Sequence, residues 1–226
     1  VLIAAAVCPH PPLLVPELAQ GAAPELETLR AACDRAVTGL LGSGADELVV
    51  VGAGGGDRTY GAGTGGSLAG YGVDVGVGPP PAVLPLSLTM GRWLAERGGA
   101  VPSCYVEVAA GAPPEECLAR GAELAAAASR IGILAMGDGS ARRTECSPSY
   151  VDERAAPFDH SVAAALAKAD TAALAALDPL VAAELMVAGR AAWQALAGAA
   201  EGAGLHGELL AHEAPYGVGY FAALWR

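Results

Sequence analysis

Charge is scarce in this sequence. Only 16% of its 226 residues are Asp, Glu, Lys or Arg, and 13 basic side chains stand against 24 acidic ones, for a formal charge of −11. Binding nucleic acid without regard to sequence takes clustered Lys and Arg to neutralise phosphates, so that class of partner is set aside. Long apolar runs are lacking too: charge or glycine breaks every stretch well short of the roughly 20 residues a bilayer crossing takes, so no membrane span is expected. The five cysteines, Cys8, Cys33, Cys104, Cys117 and Cys146, include no CxxC pair. An odd, scattered set suits free thiols in a reducing compartment better than a disulfide framework. The opening apolar segment has no basic n-region and runs straight into Pro9-His10-Pro11-Pro12. It therefore reads as a strand rather than a signal peptide, and the expected compartment is the cytoplasm.

What the sequence does have is apolar bulk, 53% of the chain, enough to bury a core and to exclude a disordered protein. Its pattern alternates. Residues 1–7, 47–51, 103–108 and 131–136 are short apolar runs of the kind buried on both faces of a sheet. Between them, residues 24–41, 86–97 and 113–129 carry helical spacing. Strand, helix, strand in repetition predicts an α/β fold, a single domain over residues 1–226, with a largely parallel central sheet sandwiched between helices. Residues 52–81, rich in glycine and proline, read as a long loop over the sheet. After a polar loop over 137–156, helices are expected at 158–169, 171–176 and 179–200, and residues 205–225 mix strand and turn signals.

Ligands of open α/β sheets bind outside the carboxyl ends of the strands, which directs attention to three segments. In Cys8-Pro9-His10-Pro11-Pro12 the prolines hold the backbone extended and fix an imidazole, as a ligand, an acid/base group or a hydrogen-bonded loop residue. Gly52-Ala53-Gly54-Gly55-Gly56-Asp57-Arg58 invites a dinucleotide reading, but the third glycine of GxGxxG falls on Asp57. The formal match at Gly61, Gly63 and Gly66 neither follows a strand nor opens a helix, so turn-forming glycines are the better reading. The third segment, Met136 to Arg143, offers Asp138, Ser140, Arg142 and Arg143, either as an Asx-type turn with solvated arginines or as an anion clamp. Glu184 stands on an otherwise apolar helix, where a carboxylate facing the core needs a partner. His160, His206 and His212 default to surface histidines.

In order along the chain these landmarks resemble the catalytic subunit of class III extradiol dioxygenases and the related Memo-type proteins. Pro9 to Leu14 is similar to the family's first metal-ligand loop. Met136 to Ser140, with Tyr150 and Phe158-Asp159, looks like its Gly-Asp-Leu-Ser-His loop and the Phe-Asp that follows. Glu184 looks like the carboxylate ligand, and Pro215 to Tyr220 resembles a glycine-tyrosine C-terminal segment. The resemblance implies a divalent metal such as Fe(II) held by two histidines and a carboxylate, beside a pocket for an aromatic or anionic small molecule. Here no histidine stands near Gly56, where the second ligand is expected, and Asp57 is the nearest substitute. The proton-handling histidine falls on Ala141. The implied metal set is therefore His10, Asp57 and Glu184, with Asp138, Ser140, Arg142 and Arg143 as substrate-binding residues. The expectation is a divergent, dioxygenase-like oxidoreductase with a degenerate metal site, self-association left open. The alternative is a non-catalytic small-molecule-binding or scaffold protein on the same fold.

Overall fold

The protein is described from a computed structural model, which covers residues 1–127 and 130–226. The first half holds β1 (Leu2–Cys8), the single turn α1 (Pro16–Ala19), α2 (Glu27–Leu41), β2 (Glu47–Gly54), β3 (Arg58–Gly61), β4 (Gly66–Ser67), β5 (Gly76–Val77), α3 (Leu86–Arg97) and β6 (Cys104–Ala109). The second holds α4 (Pro114–Ala127), β7 (Ile131–Met136), α5 (Ala155–Lys168), α6 (Thr171–Ala175), α7 (Pro179–Glu184), α8 (Arg190–Ala200), β8 (Gly207–Glu213) and β9 (Tyr220–Trp225). The end of the helix expected over 113–129 lies outside the described residues.

Seven strands form one sheet in the order β3-β6-β2-β7-β1-β9-β8. The four apolar runs predicted as strands are its parallel centre, β6, β2, β7 and β1. Because side chains alternate along a strand, each run feeds two cores. Ala5, Val7, Val49, Val51, Ile133 and Ala135 pack beneath Val162 of α5 and Trp193 and Leu196 of α8. On the opposite face Ala4, Ala6, Val50, Leu134 and Met136 meet Leu29, Val37 and Leu40 of α2 and Leu88, Met90 and Leu94 of α3. Near-continuous apolar strands follow from burial on both sides.

Two expectations need correction, at 52–81 and 179–200, and the reading of 205–225 is made definite. The 52–81 segment does contribute to the sheet: Arg58 to Gly61 pairs antiparallel with β6, Tyr60 opposite Tyr105. β4 and β5 form a separate two-stranded ribbon. A strand of only four residues surrounded by glycines carries too little periodicity to be read locally. The mixed signals of 205–225 resolve into antiparallel β8 and β9, which complete the sheet beside β1. The helix expected over 179–200 is two helices. Met186 takes a left-handed φ of 56°, and a Cβ on Gly137 would come 2.5 Å from the Gly189 Cα, so the chain breaks where it lies flush on the end of β7.

α4 and α8 also approach backbone to backbone. A Cβ built on Gly121 would run into the Ala195 carbonyl oxygen, and one on Gly198 into the Leu118 carbonyl oxygen. No helix among the described residues is long and apolar enough to cross a membrane.

Candidate functional site

β1 and β7 run side by side, with Cys8 opposite Met136, and the Gly137 N–H donates to the Cys8 carbonyl at 2.9 Å. That register carries the two chains past the carboxyl ends of their strands together and sets His10 against Asp138. The His10 backbone N–H donates to Asp138 Oδ1 at 2.8 Å, while His10 Nδ1 stands 3.7 Å from the same oxygen, beyond hydrogen-bond reach. His10 is 8% exposed, and its Nδ1 has no hydrogen-bond partner among the described residues. Burial pushes the Asp138 carboxyl above its ordinary range, an effect opposed by His10 through its charge and its backbone N–H. Tyr220, at the start of β9, is driven upward by burial and then by Asp138 and Tyr216. Proline restriction after β1 and a shared register account for the His10–Asp138 pair, which the sequence indicated residue by residue but not as a pair.

The rest of the predicted metal set lies elsewhere. Asp57 is exposed and accepts from the Ala109 N–H at 2.8 Å, tying the β2–β3 turn to the end of β6. It faces a surface groove of about 420 Å³ that is also lined by Arg58, Thr59, Glu116 and Arg120. Glu184 has a side chain 58% exposed and is ion-paired to Arg154 at 2.7 Å. Arg154 also grips Asp152, whose carboxyl falls to about 2 through the Arg154 hydrogen bonds. The carboxylate at 184 does not face the core: at the end of α7 it is a surface partner of Arg154. Among the described residues no three His, Cys, Asp or Glu side chains form a group that could hold a metal ion. The donors assigned to Fe(II) do not fit it: one carboxylate is committed to a backbone amide, the other to a guanidinium, and His10 is left with Asp138 alone.

The predicted substrate-binding residues divide. Ser140 is fully buried, and both its N–H (2.9 Å) and its hydroxyl (2.8 Å) donate to Asp159, a residue noted only as part of a Phe-Asp pair. Gly139 and Gly219 leave room for that carboxylate, since a Cβ on either would strike it. Arg143 reaches Asp159 at 3.4 Å and His212 Nε2 at 3.0 Å. Both are structural ties of the loop. Arg142 is different: its guanidinium lies 3.9 Å over the ring centroid of Tyr150, a residue 69% exposed, and its Nε has no partner among the described residues.

His212 was expected to be an ordinary surface histidine, yet it is half buried in the same network. Arginine only donates, so His212 Nε2 accepts and the ring proton sits on Nδ1. Burial lowers its pKa, helped by Arg143 and by the His160 ring, whose centroid is 5.3 Å away; Phe221 covers another side. A folded pKa below the unfolded value near 6.5 means that the fold favours neutral imidazole. The contribution is complete above about pH 6.5 and is lost as pH falls toward the folded pKa. Urea midpoints compared at pH 7.5 and 5.5 should drop in the wild type and drop less in His212→Gln; equal drops would remove this assignment.

No family model matches the chain, and no curated protein does. Among solved structures it is similar to the crystal structure of an uncharacterized protein, JW3007, from Escherichia coli K12, at a TM-score of 0.58 and 14% identity over 99% of each chain. That likeness shows a shared α/β fold, with a mostly parallel central sheet flanked by helices.

Proposed function

We propose that this chain is a small-molecule-binding protein on an extradiol-dioxygenase-like fold, and that ring cleavage is not its reaction. The observation that carries this is the fate of Glu184, ion-paired to Arg154 on the surface rather than turned toward His10. The ligand is an aromatic or anionic compound. In support of that class, His10 Nδ1 is buried and, on the loop that begins at Asp138, Arg142 Nε lies beside the Tyr150 ring, both without a partner among the described residues.

A second reading is favoured by the same orphaned nitrogen: a degenerate divalent-metal site centred on His10 and Asp138. One experiment separates the two. Protein loaded anaerobically with Fe(II) and desalted should retain far less than one metal per chain and take up no oxygen with catechol or protocatechuate. Benzoate should raise the melting temperature of the wild type and not of His10→Ala. Stoichiometric Fe(II) that disappears in His10→Ala overturns the first reading in favour of the second.

A further inference from the structure

Arg190 is a buried cation away from the His10 pair, on a helix whose pattern did not mark it. It opens α8 and is only 3% exposed. Its guanidinium donates to the carbonyl oxygens of Ala112 (2.6 Å) and Ala110 (2.5 Å) and to Gln194 Oε1 (2.9 Å), with Cys117 Sγ at 3.8 Å. Each of these acceptors is neutral, and among the described residues Arg190 forms no ion pair. Arginine stays protonated in proteins, so a full positive charge is buried here with no negative group bonded to it. The amino end of α8 adds positive potential of its own.

This charge borders an open volume. Arg190 lines a cavity of about 400 Å³ whose other walls include Ala110, Gly111, Pro179, Leu180 and Val187. The cavity lies beyond the end of β6, between the β6–α4 connection and α7, and none of His10, Asp138 or Arg142 lines it. Leu180, 74% exposed, stands at its rim. Of the five guanidinium N–H groups, Nε–H and one on Nη2 have no acceptor among the described residues. A planar fork with two such donors suits a carboxylate.

From the buried guanidinium and its apolar walls, we infer that this cavity binds a small aliphatic monocarboxylate. The carboxylate supplies the missing counter-charge to Arg190, and a short hydrocarbon tail packs against Pro179, Leu180 and Val187. One cation among apolar walls matches a monoanion; a phosphate dianion would need further donors. The volume is near the lower end of ligand pockets, about 300–1,000 Å³, which limits the tail to a few carbons.

Hexanoate at low ionic strength is the probe, hexanol its uncharged counterpart, and melting temperature with titration calorimetry the readout. Hexanoate should raise the wild-type melting temperature by about 3 °C or more at saturation, and hexanol should not. Ala183→Trp, on the exposed cavity wall, should weaken hexanoate at least tenfold while leaving the protein folded. Arg190→Gln should abolish the response if it folds; the Ala183 variant carries the test if it does not. No hexanoate response, an equal response to hexanol, or an unchanged affinity in Ala183→Trp overturns the inference. His10→Ala should leave hexanoate binding intact, and Ala183→Trp should leave benzoate binding intact, so this site and the one at His10 can fail separately.

Discussion

Gly198→Ala should destabilise the protein by ~3 kcal/mol, at the upper end of what overpacking a core costs. The sign is the informative part. In an ordinary helix interior, glycine to alanine gains roughly 0.5–1 kcal/mol. Here the added methyl meets the Leu118 carbonyl oxygen, which belongs to the backbone of α4 and has no rotamer by which to withdraw. The same holds for Gly121 against the Ala195 carbonyl, so Gly121→Ala should behave alike. Because the two contacts share one helix pair, the double variant should lose less than the sum of the single ones. Thermal melts followed by circular dichroism should show a fall of about 6–12 °C for either single change. A rise in either variant would mean that α4 and α8 do not meet as described.

Asp159→Ala should be as damaging, about 3–5 kcal/mol, the range for removing one partner from a buried charged network. The carboxylate is completely buried and accepts from the Ser140 N–H, the Ser140 hydroxyl and Arg143. Among the described residues, deleting it leaves the buried Ser140 N–H without that acceptor, the Ser140 hydroxyl with only the Ala155 carbonyl at 3.5 Å, and Arg143 with only His212. It also frees a larger assembly, because the Gly139 N–H donates to the Gly219 carbonyl and the Gly219 N–H to the Ser140 carbonyl, clasping the loop after β7 to the approach of β9. Burial raises the Asp159 carboxyl above its ordinary range against the pull of Ser140 and Arg143. A neutral Asn that keeps one acceptor oxygen should therefore cost less than alanine. Urea unfolding of wild type, Asp159→Asn and Asp159→Ala should place the midpoints in that order; identical midpoints for Asn and Ala would deny the carboxylate its acceptor role.

The fold was legible where a residue's local pattern and its final environment agree. Val49 to Val51 and Ile131 to Met136 are apolar because both faces of the parallel sheet are covered, and the pattern says so directly. Legibility failed where long-range packing decides. Nothing within residues 179–200 announces the break at Met186, since it depends on Gly189 lying against Gly137 across the sheet end. That one break also separates Glu184, at the end of α7, from Arg190, at the start of α8. His10 and Asp138 were each visible as polar residues beyond a strand end, but their adjacency is a product of the β1–β7 register. Arg190 could have been found by asking where a lone cation in an apolar helix puts its charge.

Strand order has a consequence for the growing chain. β1 is made before β7 and β9 but ends up between them, and their residues are separated from it by more than a hundred positions. Until Tyr220 to Trp225 leave the ribosome, one side of Leu2 to Cys8 has no final pairing partner, and its Ala- and Val-rich backbone is open to any other extended segment. A chain that lacks β9, nascent or shortened, is therefore the form most exposed to aggregation, and β9 acts as the closing seal on β1.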